Sequence, residues 1–171
     1  VADIGTDHAY LPVRLVQEGL CPLAYACDIG EGPLGKARET IARYGCAGKV
    51  FPVLGDGLAA LEPRAVDTIV IAGMGGENIA AILARAPWAA DGRHTLLLQP
   101  QSRAEVLRAV LAENGYAIRR EALVKDRGTI YPVMEAGGGS MSLTLGQCYG
   151  GADLLQDPLG DRYIIEKIIR L

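Results

Sequence analysis

Two carboxylates, a hydroxyl, an imidazole and a phenol fall within eight positions in Asp3-Ile4-Gly5-Thr6-Asp7-His8-Ala9-Tyr10, around a single glycine. Such a stretch can hold a cationic group, move a proton and stack on a ring. Further acids stand alone after apolar runs, at Asp28 and Asp56, and two other segments, Gly73-Met74-Gly75-Gly76 and Gln99-Pro100-Gln101, also follow apolar runs. Asp28 lies 25 positions after Asp3 (28 − 3). An acid near that spacing, ending a second strand, accepts the hydroxyls of a bound ribose. Asp56 can accept from an exocyclic amine of adenine. Gly5 and Gly73–Gly76 lack a Cβ, so the backbone there can approach a ligand. Taken singly, each glycine reads equally as a tight turn, and Asp28 or Asp56 as a solvated loop acid or a helix N-cap. Gathered on one edge of a sheet, they read as a ligand site.

Only a parallel sheet gathers them. Short apolar runs alternate with helical patterns to about residue 115, the mark of successive βαβ units. The expected strands are Val1–Ile4, Leu23–Asp28, Val50–Leu54, Val66–Ala72 and Thr95–Gln99. Helices are expected after Pro12, from Pro33 to about Tyr44, briefly around Leu58–Leu61, across Ile79–Leu83, and to Asn114 from a capping box of Ser102 and Glu105. Tyr116–Lys125 and Thr129–Ala136 read as a hairpin around Asp126-Arg127-Gly128. Gly137-Gly138-Gly139-Ser140 reads as a flexible break, residues 141–160 show no strong periodicity, and a last helix runs from Asp161 to Leu171. The expected fold is α/β and Rossmann-like: a mostly parallel seven-stranded sheet with a C-terminal antiparallel hairpin and helices on both faces.

Composition narrows the classes. Half of the 171 residues are hydrophobic, enough for one large core, or for one domain and the stub of a second. No apolar run approaches a membrane span. The four cysteines form no CxxC pair, so reduced thiols and a cytoplasmic location are expected, with Cys27 buried in its strand. With two histidines, no metal is expected. A net charge of −3 and pI near 5.4 weigh weakly against nucleic acid.

The choice of nucleoside follows from the loop. A pyrophosphate needs G-x-G-x-x-G; Gly5-Thr6-Asp7-His8-Ala9-Tyr10 has one of those glycines, and its Asp7 repels phosphate. S-adenosylmethionine has no phosphate and carries an ammonium and a sulfonium, which an acid-rich loop suits. The closing hairpin also fits the methyltransferase form of the fold better than the dehydrogenase form.

The strings Asp3-Ile4-Gly5-Thr6-Asp7-His8-Ala9-Tyr10-Leu11-Pro12, Glu31-Gly32-Pro33, Gly55-Asp56-Gly57-Leu58, Ile71-Ala72-Gly73-Met74-Gly75-Gly76 and Leu98-Gln99-Pro100-Gln101 closely resemble, in order, the bacterial tRNA (adenine-22-N1)-methyltransferase family. The resemblance covers residues 1 to about 136. It implies a class I methyltransferase domain over 1–136 lacking an N-terminal lead-in, a linker over 137–160, and at 161–171 the start of a truncated C-terminal helical domain. It implies S-adenosylmethionine as cofactor, tRNA as partner, and methyl transfer to N1 of adenine 22 in the cytoplasm. A monomer with no membrane association is expected. Asp28 and Gln101 stand where the family commonly has Glu and Asn. Two alternatives stay open: a methyltransferase of this fold acting on another RNA or a small molecule, and a non-catalytic cofactor-binding domain.

The cofactor set expected is Asp3, Gly5, Thr6, Asp7, His8, Asp28, Ile29, Asp56, Gly57, Gly73, Met74 and Gly75. Tyr10, Gln99, Pro100 and Gln101 are expected to meet the substrate. Asp7, His8 and Tyr10 are the catalytic candidates: Tyr10 to stack on the adenine, His8 to orient base or cofactor, Asp7 to take a proton. His8 as a mere loop strut and Tyr10 as core packing are the competing readings. Arg119, Arg120, Lys125 and Arg127 by the hairpin, and Arg38, Arg43 and Lys49 near the second helix, can meet phosphates or simply be solvated.

Overall fold

The computed structural model describes residues 1–169. Leu171, placed above in the last helix, lies outside them. The chain forms two compact units, Val1–Ile71 and a second from Ala72 onward.

In the first unit, β1 (Ala2–Ile4) is central. It pairs in parallel with β2 (Ala24–Asp28) and with the start of β4 (Thr68–Gly75), so that Asp3 lies level with Ala26 and Val70. β3 (Val50–Leu54) pairs in parallel with β2, ending with Asp28 beside Leu54. Two helices connect these strands, α1 (Tyr10–Gln17) and α2 (Glu31–Arg43). Each offers a stripe of apolar residues at helical spacing, Val13 and Val16 from α1, Ala37 and Ile41 from α2. These pack on Ala24, Ala26 and Val50 in one buried cluster. All three parallel strands therefore discharge their loops on the same edge.

In the second unit, α3 (Gly76–Ala84) and α4 (Ala104–Glu113) flank β5 (Thr95–Ser102). β6 (Tyr116–Asp126) and β7 (Thr129–Gly138) form the expected antiparallel hairpin, and β7 pairs antiparallel with β5. The full strand order is β3-β2-β1-β4-β5-β7-β6, the mostly parallel seven-stranded sheet with a terminal antiparallel hairpin expected above.

Several local expectations are corrected. Ser102 does not cap α4: it ends β5, and Arg103, with φ of 55°, turns the chain into the helix with no side-chain cap. An extended Ser102 cannot reach back to the helix, and Glu105 instead pairs with Arg103 at 3.3 Å. Leu58–Leu61 forms turns, because so short a segment cannot offset the cost of helix nucleation; a 3-10 turn follows at Pro63–Ala65. Gly137 and Gly138 are not a flexible break but the last residues of β7. A Cβ on Gly138 would sit 2.2 Å from the Ala90 carbonyl oxygen, so the close approach of two backbones demands glycine there.

Beyond β7, α5 (Leu145–Gly150) and α6 (Gly160–Ile169) pack back onto the unit. Thr144 and Gln147 form a capping box at α5, with Thr144 Oγ1 accepting from the Gln147 N–H at 3.2 Å. The anchor is Arg108 of α4, fully buried. Its Nε donates to Glu121 Oε1 of β6 at 2.8 Å, and its Nη1 donates to the Cys148 carbonyl of α5 at 2.7 Å. Sequence reading missed this arginine.

Candidate active site

The loop between β1 and α1 is held in an unusual shape. Gly5, Asp7 and Ala9 have φ of 74°, 50° and 57°. A left-handed alanine costs roughly 1–2 kcal/mol, so the rest of the loop must impose it. The Cys27 carbonyl accepts from both the Gly5 and Thr6 N–H groups at 2.9 Å, and the Thr6 carbonyl accepts from the Ala9 N–H at 3.0 Å. Backbone strain of this kind concentrates where ligands are clamped.

Asp3 is 6% exposed, and the Thr6 hydroxyl donates to its Oδ2 at 2.7 Å. Burial pushes its pKa up, the Thr6 hydrogen bond opposes that, and the nearby Asp28 charge adds to the rise. A carboxylate so placed gains from a cation beside it.

Asp28 ends β2, and its carboxylate is already partly engaged. Oδ2 accepts from the Asp7 N–H at 3.2 Å and Oδ1 from the Gly30 N–H at 2.9 Å, while its carbonyl accepts from the Gly55 N–H at 2.9 Å. It thus ties the loops after β1, β2 and β3 together. Each carboxylate oxygen retains a further lone pair, so reception of ribose hydroxyls remains open to it. Beside it, Ile29 is 71% exposed, an apolar side chain in water at the mouth of the loop. Cys27 lies buried in β2 as expected, its thiol pushed up to about 12 by burial and then by the Asp3 and Asp28 charges, which makes it inert as a nucleophile.

The expected catalytic candidates sit on the outer side of the same loop. The His8 ring stacks on Tyr10, with centroids 5.6 Å apart and planes 10° from parallel. His8 Nε2 lies 3.6 Å from Asp7 Oδ2. Tyr10 is 56% exposed, which removes the reading of it as core packing. Asp56 is exposed after β3, and Gly57 has φ of 60°. The first unit therefore gathers Asp3, Gly5, Thr6, Asp7, His8, Tyr10, Asp28, Ile29, Asp56 and Gly57 on its strand-end edge.

The second unit holds the remaining expected residues. The Gly73 N–H donates to Gln99 Oε1 at 2.9 Å, joining the end of β4 to β5. A Cβ on Gly73 would lie 3.8 Å from Gln101 Nε2, and one on Gly75 would lie 3.3 Å from Ser102 Oγ. Gly73, Met74, Gly75, Gln99, Pro100 and Gln101 thus form one cluster. Gly76 permits a tight crossing, since a Cβ there would meet the Arg103 carbonyl oxygen at 2.2 Å. Among the described residues, no group of three or more His, Cys, Asp or Glu side chains is arranged to hold a metal ion, and no helix is long and apolar enough to cross a membrane.

A parallel sheet that ends in an antiparallel hairpin, with acids at its strand ends and no pyrophosphate loop, defines a class I methyltransferase fold. Comparison with known proteins agrees: residues 1–134 match the family described as "Methyltransferase domain". Over 139 residues the chain is 36% identical to the tRNA (adenine(22)-N(1))-methyltransferase of Bacillus subtilis (strain 168), covering 81% of this chain and 58% of that protein. A provisional tRNA (m1A22) methyltransferase from Streptococcus pneumoniae, solved in complex with S-adenosyl-L-methionine, superposes with a TM-score of 0.91 at 33% identity, over 99% of this chain and 80% of that one. The m1A22 tRNA methyltransferase of B. subtilis superposes with a TM-score of 0.81 at 27% identity, over 99% and 87%. The chain belongs to the methyltransferase-domain family. It spans about three fifths of the length of the curated relatives it matches, from 58% to 60%.

Proposed function

We propose that the protein transfers a methyl group from S-adenosylmethionine to N1 of adenine 22 in tRNA, acting as a monomer in the cytoplasm. The observation that carries this reading is the strained, acid-lined loop Asp3–Tyr10, tied to Asp28 and bearing a half-buried His8 stacked on an exposed Tyr10.

The loop fits the cofactor. Asp3, Asp7 and Asp28 stand at one strand edge, a set that repels a pyrophosphate and favours an ammonium and ribose hydroxyls. Asp3, Gly5, Thr6, Asp7, His8, Asp28, Ile29, Asp56 and Gly57 would hold it from the first unit, with Gly73, Met74 and Gly75 assigned to it in the second. When bound, S-adenosylmethionine supplies a methyl group made electrophilic by its sulfonium.

Adenine N1 has an in-plane lone pair and no proton to lose before it attacks. The chain therefore needs no strong base, and positioning can supply up to about 7–11 kcal/mol of barrier reduction. N1 lies on the pairing edge, so the base must leave its stack before it reacts. Tyr10 receives the unstacked base on its exposed ring. His8 orients that ring from beneath, and Asp7 stabilises the cationic methylated base or takes a proton from its N6. Gln99, Pro100 and Gln101 are assigned to the RNA.

The test is methyl transfer to tRNA, read by nucleoside analysis, with calorimetry for the cofactor. We expect 1-methyladenosine at position 22 and saturable S-adenosylmethionine binding. Binding without methylation of any RNA would make the chain a cofactor-binding domain, and methylation elsewhere would overturn the assigned position.

A further inference from the structure

Gln99 and Gln101 carry the same amide at the end of β5, but the fold treats them differently. Residues two apart on a strand share a face. Leu96, Leu98 and Pro100 take the buried face of β5, and Gln99 and Gln101 take the other. The register of β5 with β7 runs from Thr95 to Leu98, so Gln99 follows the last paired residue.

The Gln99 amide is fixed at one end. Its Oε1 accepts the Gly73 N–H at 2.9 Å. A backbone N–H is met only by an acceptor, so the amide cannot turn over without stranding that donor. The end left over is Nε2, and it can only donate. Among the described residues no partner meets it, and Gln99 is half-buried rather than enclosed. Gln101 is exposed and its amide has no hydrogen-bond partner among the described residues, so it can present either end. Gly73 keeps the space beside the amides open, since a Cβ there would stand 3.8 Å from Gln101 Nε2.

One amide of fixed polarity beside one of free polarity matches an edge that offers an acceptor next to a donor. Adenine has such an edge in N7 and the N6 amine. A donor on N1 would occupy the lone pair that must attack, and N3 lies on the sugar side, away from N6. We propose that Gln99 reads the target adenine as a donor only, its Nε2 donating to N7 while Gln101 Oε1 accepts from N6. The proposal rests on the methyl-transfer reading above and deepens it: the base is held by its N6–N7 edge, with N1 left uncovered. It makes Gln99 a specificity-determining residue against pyrimidines, which have no atom corresponding to N7.

The experiment compares wild type with Gln99→Glu on tRNA carrying adenine, 7-deazaadenine or 3-deazaadenine at position 22. It reads kcat/KM for methyl transfer, with melting temperature alongside. Gln99→Glu keeps an acceptor for the Gly73 N–H and replaces the free donor by a second acceptor. It should melt as wild type and lose at least about tenfold on adenine. The change from adenine to 7-deazaadenine should cost the wild type roughly 2- to 12-fold more than it costs the variant, the loss of one ordinary hydrogen bond. In the variant that bond is already gone, so the two losses are not additive. The 3-deaza change should act alike on both proteins. Gln99→Leu adds no charge, should show the same coupling, and supplies the comparison if Gln99→Glu does not fold. If the wild type methylates adenine 22 but the 7-deaza effect is equal in wild type and variants, the donor assignment falls and the methyl-transfer reading stands. Coupling at 3-deazaadenine instead also overturns the N7 assignment. If a different adenine is methylated, the position falls, and the same comparison at that adenine decides the donor assignment. A wild type that methylates no RNA overturns both.

Discussion

The Asp28 carboxylate accepts the backbone N–H of Asp7 at 3.2 Å. This joins the end of β2 to the strained loop after β1, so the acid expected to read a ribose also shapes the loop expected to hold the rest of the cofactor. A hydrogen bond to a charged group contributes about 1.5–3 kcal/mol. Asp28→Ala loses two such bonds along with any made to ligand, and should weaken S-adenosylmethionine binding by at least about a hundredfold. Asp28→Asn keeps an acceptor and should fall between the two. Calorimetry on the three proteins checks the order.

Asp3 should set cofactor affinity against stability. Its folded pKa is raised, chiefly by burial. The ionised form is therefore disfavoured in the fold, and the stability associated with the protonated form is present below the ordinary value of 3.8 and lost as pH rises toward the folded value. Asp3→Asn keeps an acceptor for Thr6 and removes the buried charge. It should melt higher than wild type at pH 7, with the difference shrinking under acid conditions, and bind S-adenosylmethionine about tenfold more weakly. Thermal melts across pH, paired with calorimetry, test both halves.

Tyr10 and His8 should affect turnover rather than folding. The Tyr10 ring is 56% exposed, so Tyr10→Ala removes little packing and should leave the melting temperature nearly unchanged. Loss of one base-stacking surface is expected to cut kcat/KM for tRNA by roughly 5- to 100-fold, with Tyr10→Phe close to wild type. His8→Ala should lower the same parameter without changing cofactor affinity to a similar degree. Steady-state kinetics on both variants decide whether the stacked pair acts on the base.

Arg108 should be among the most sensitive positions for stability. Its pairing with Glu121 at 2.8 Å is fully enclosed. Removing one partner of a buried pair costs about 3–5 kcal/mol, which at this chain length lowers Tm by roughly 6–20 °C. Arg108→Met should show that loss, and the double variant Arg108→Met/Glu121→Leu should recover part of it, since no buried charge is then left alone. Differential scanning calorimetry measures both.

What the sequence determined by itself was the local and periodic part. Apolar runs alternating with helical stripes specify βαβ units, and an acid or glycine at the end of a run is specified as a strand-end residue. Asp3, Asp28 and Asp56 were legible for that reason, and parallel pairing alone brings such residues to one edge. The motif strings carried the family for the same reason, because a ligand loop is a contiguous stretch.

Tertiary structure decided whatever depends on a distant partner. Ser102 and Glu105 have the form of a capping box, but β5 runs on through Ser102, and the left-handed Arg103 starts the helix instead. Gly137 and Gly138 look like a linker until the Ala90 backbone is packed against them. Arg108 resembles any surface arginine of an amphipathic helix; only the folded chain sets Glu121 and the Cys148 carbonyl around it. Local propensity is written in neighbouring residues, whereas burial, charge pairing and close backbone approach are set by the surfaces that folding brings together.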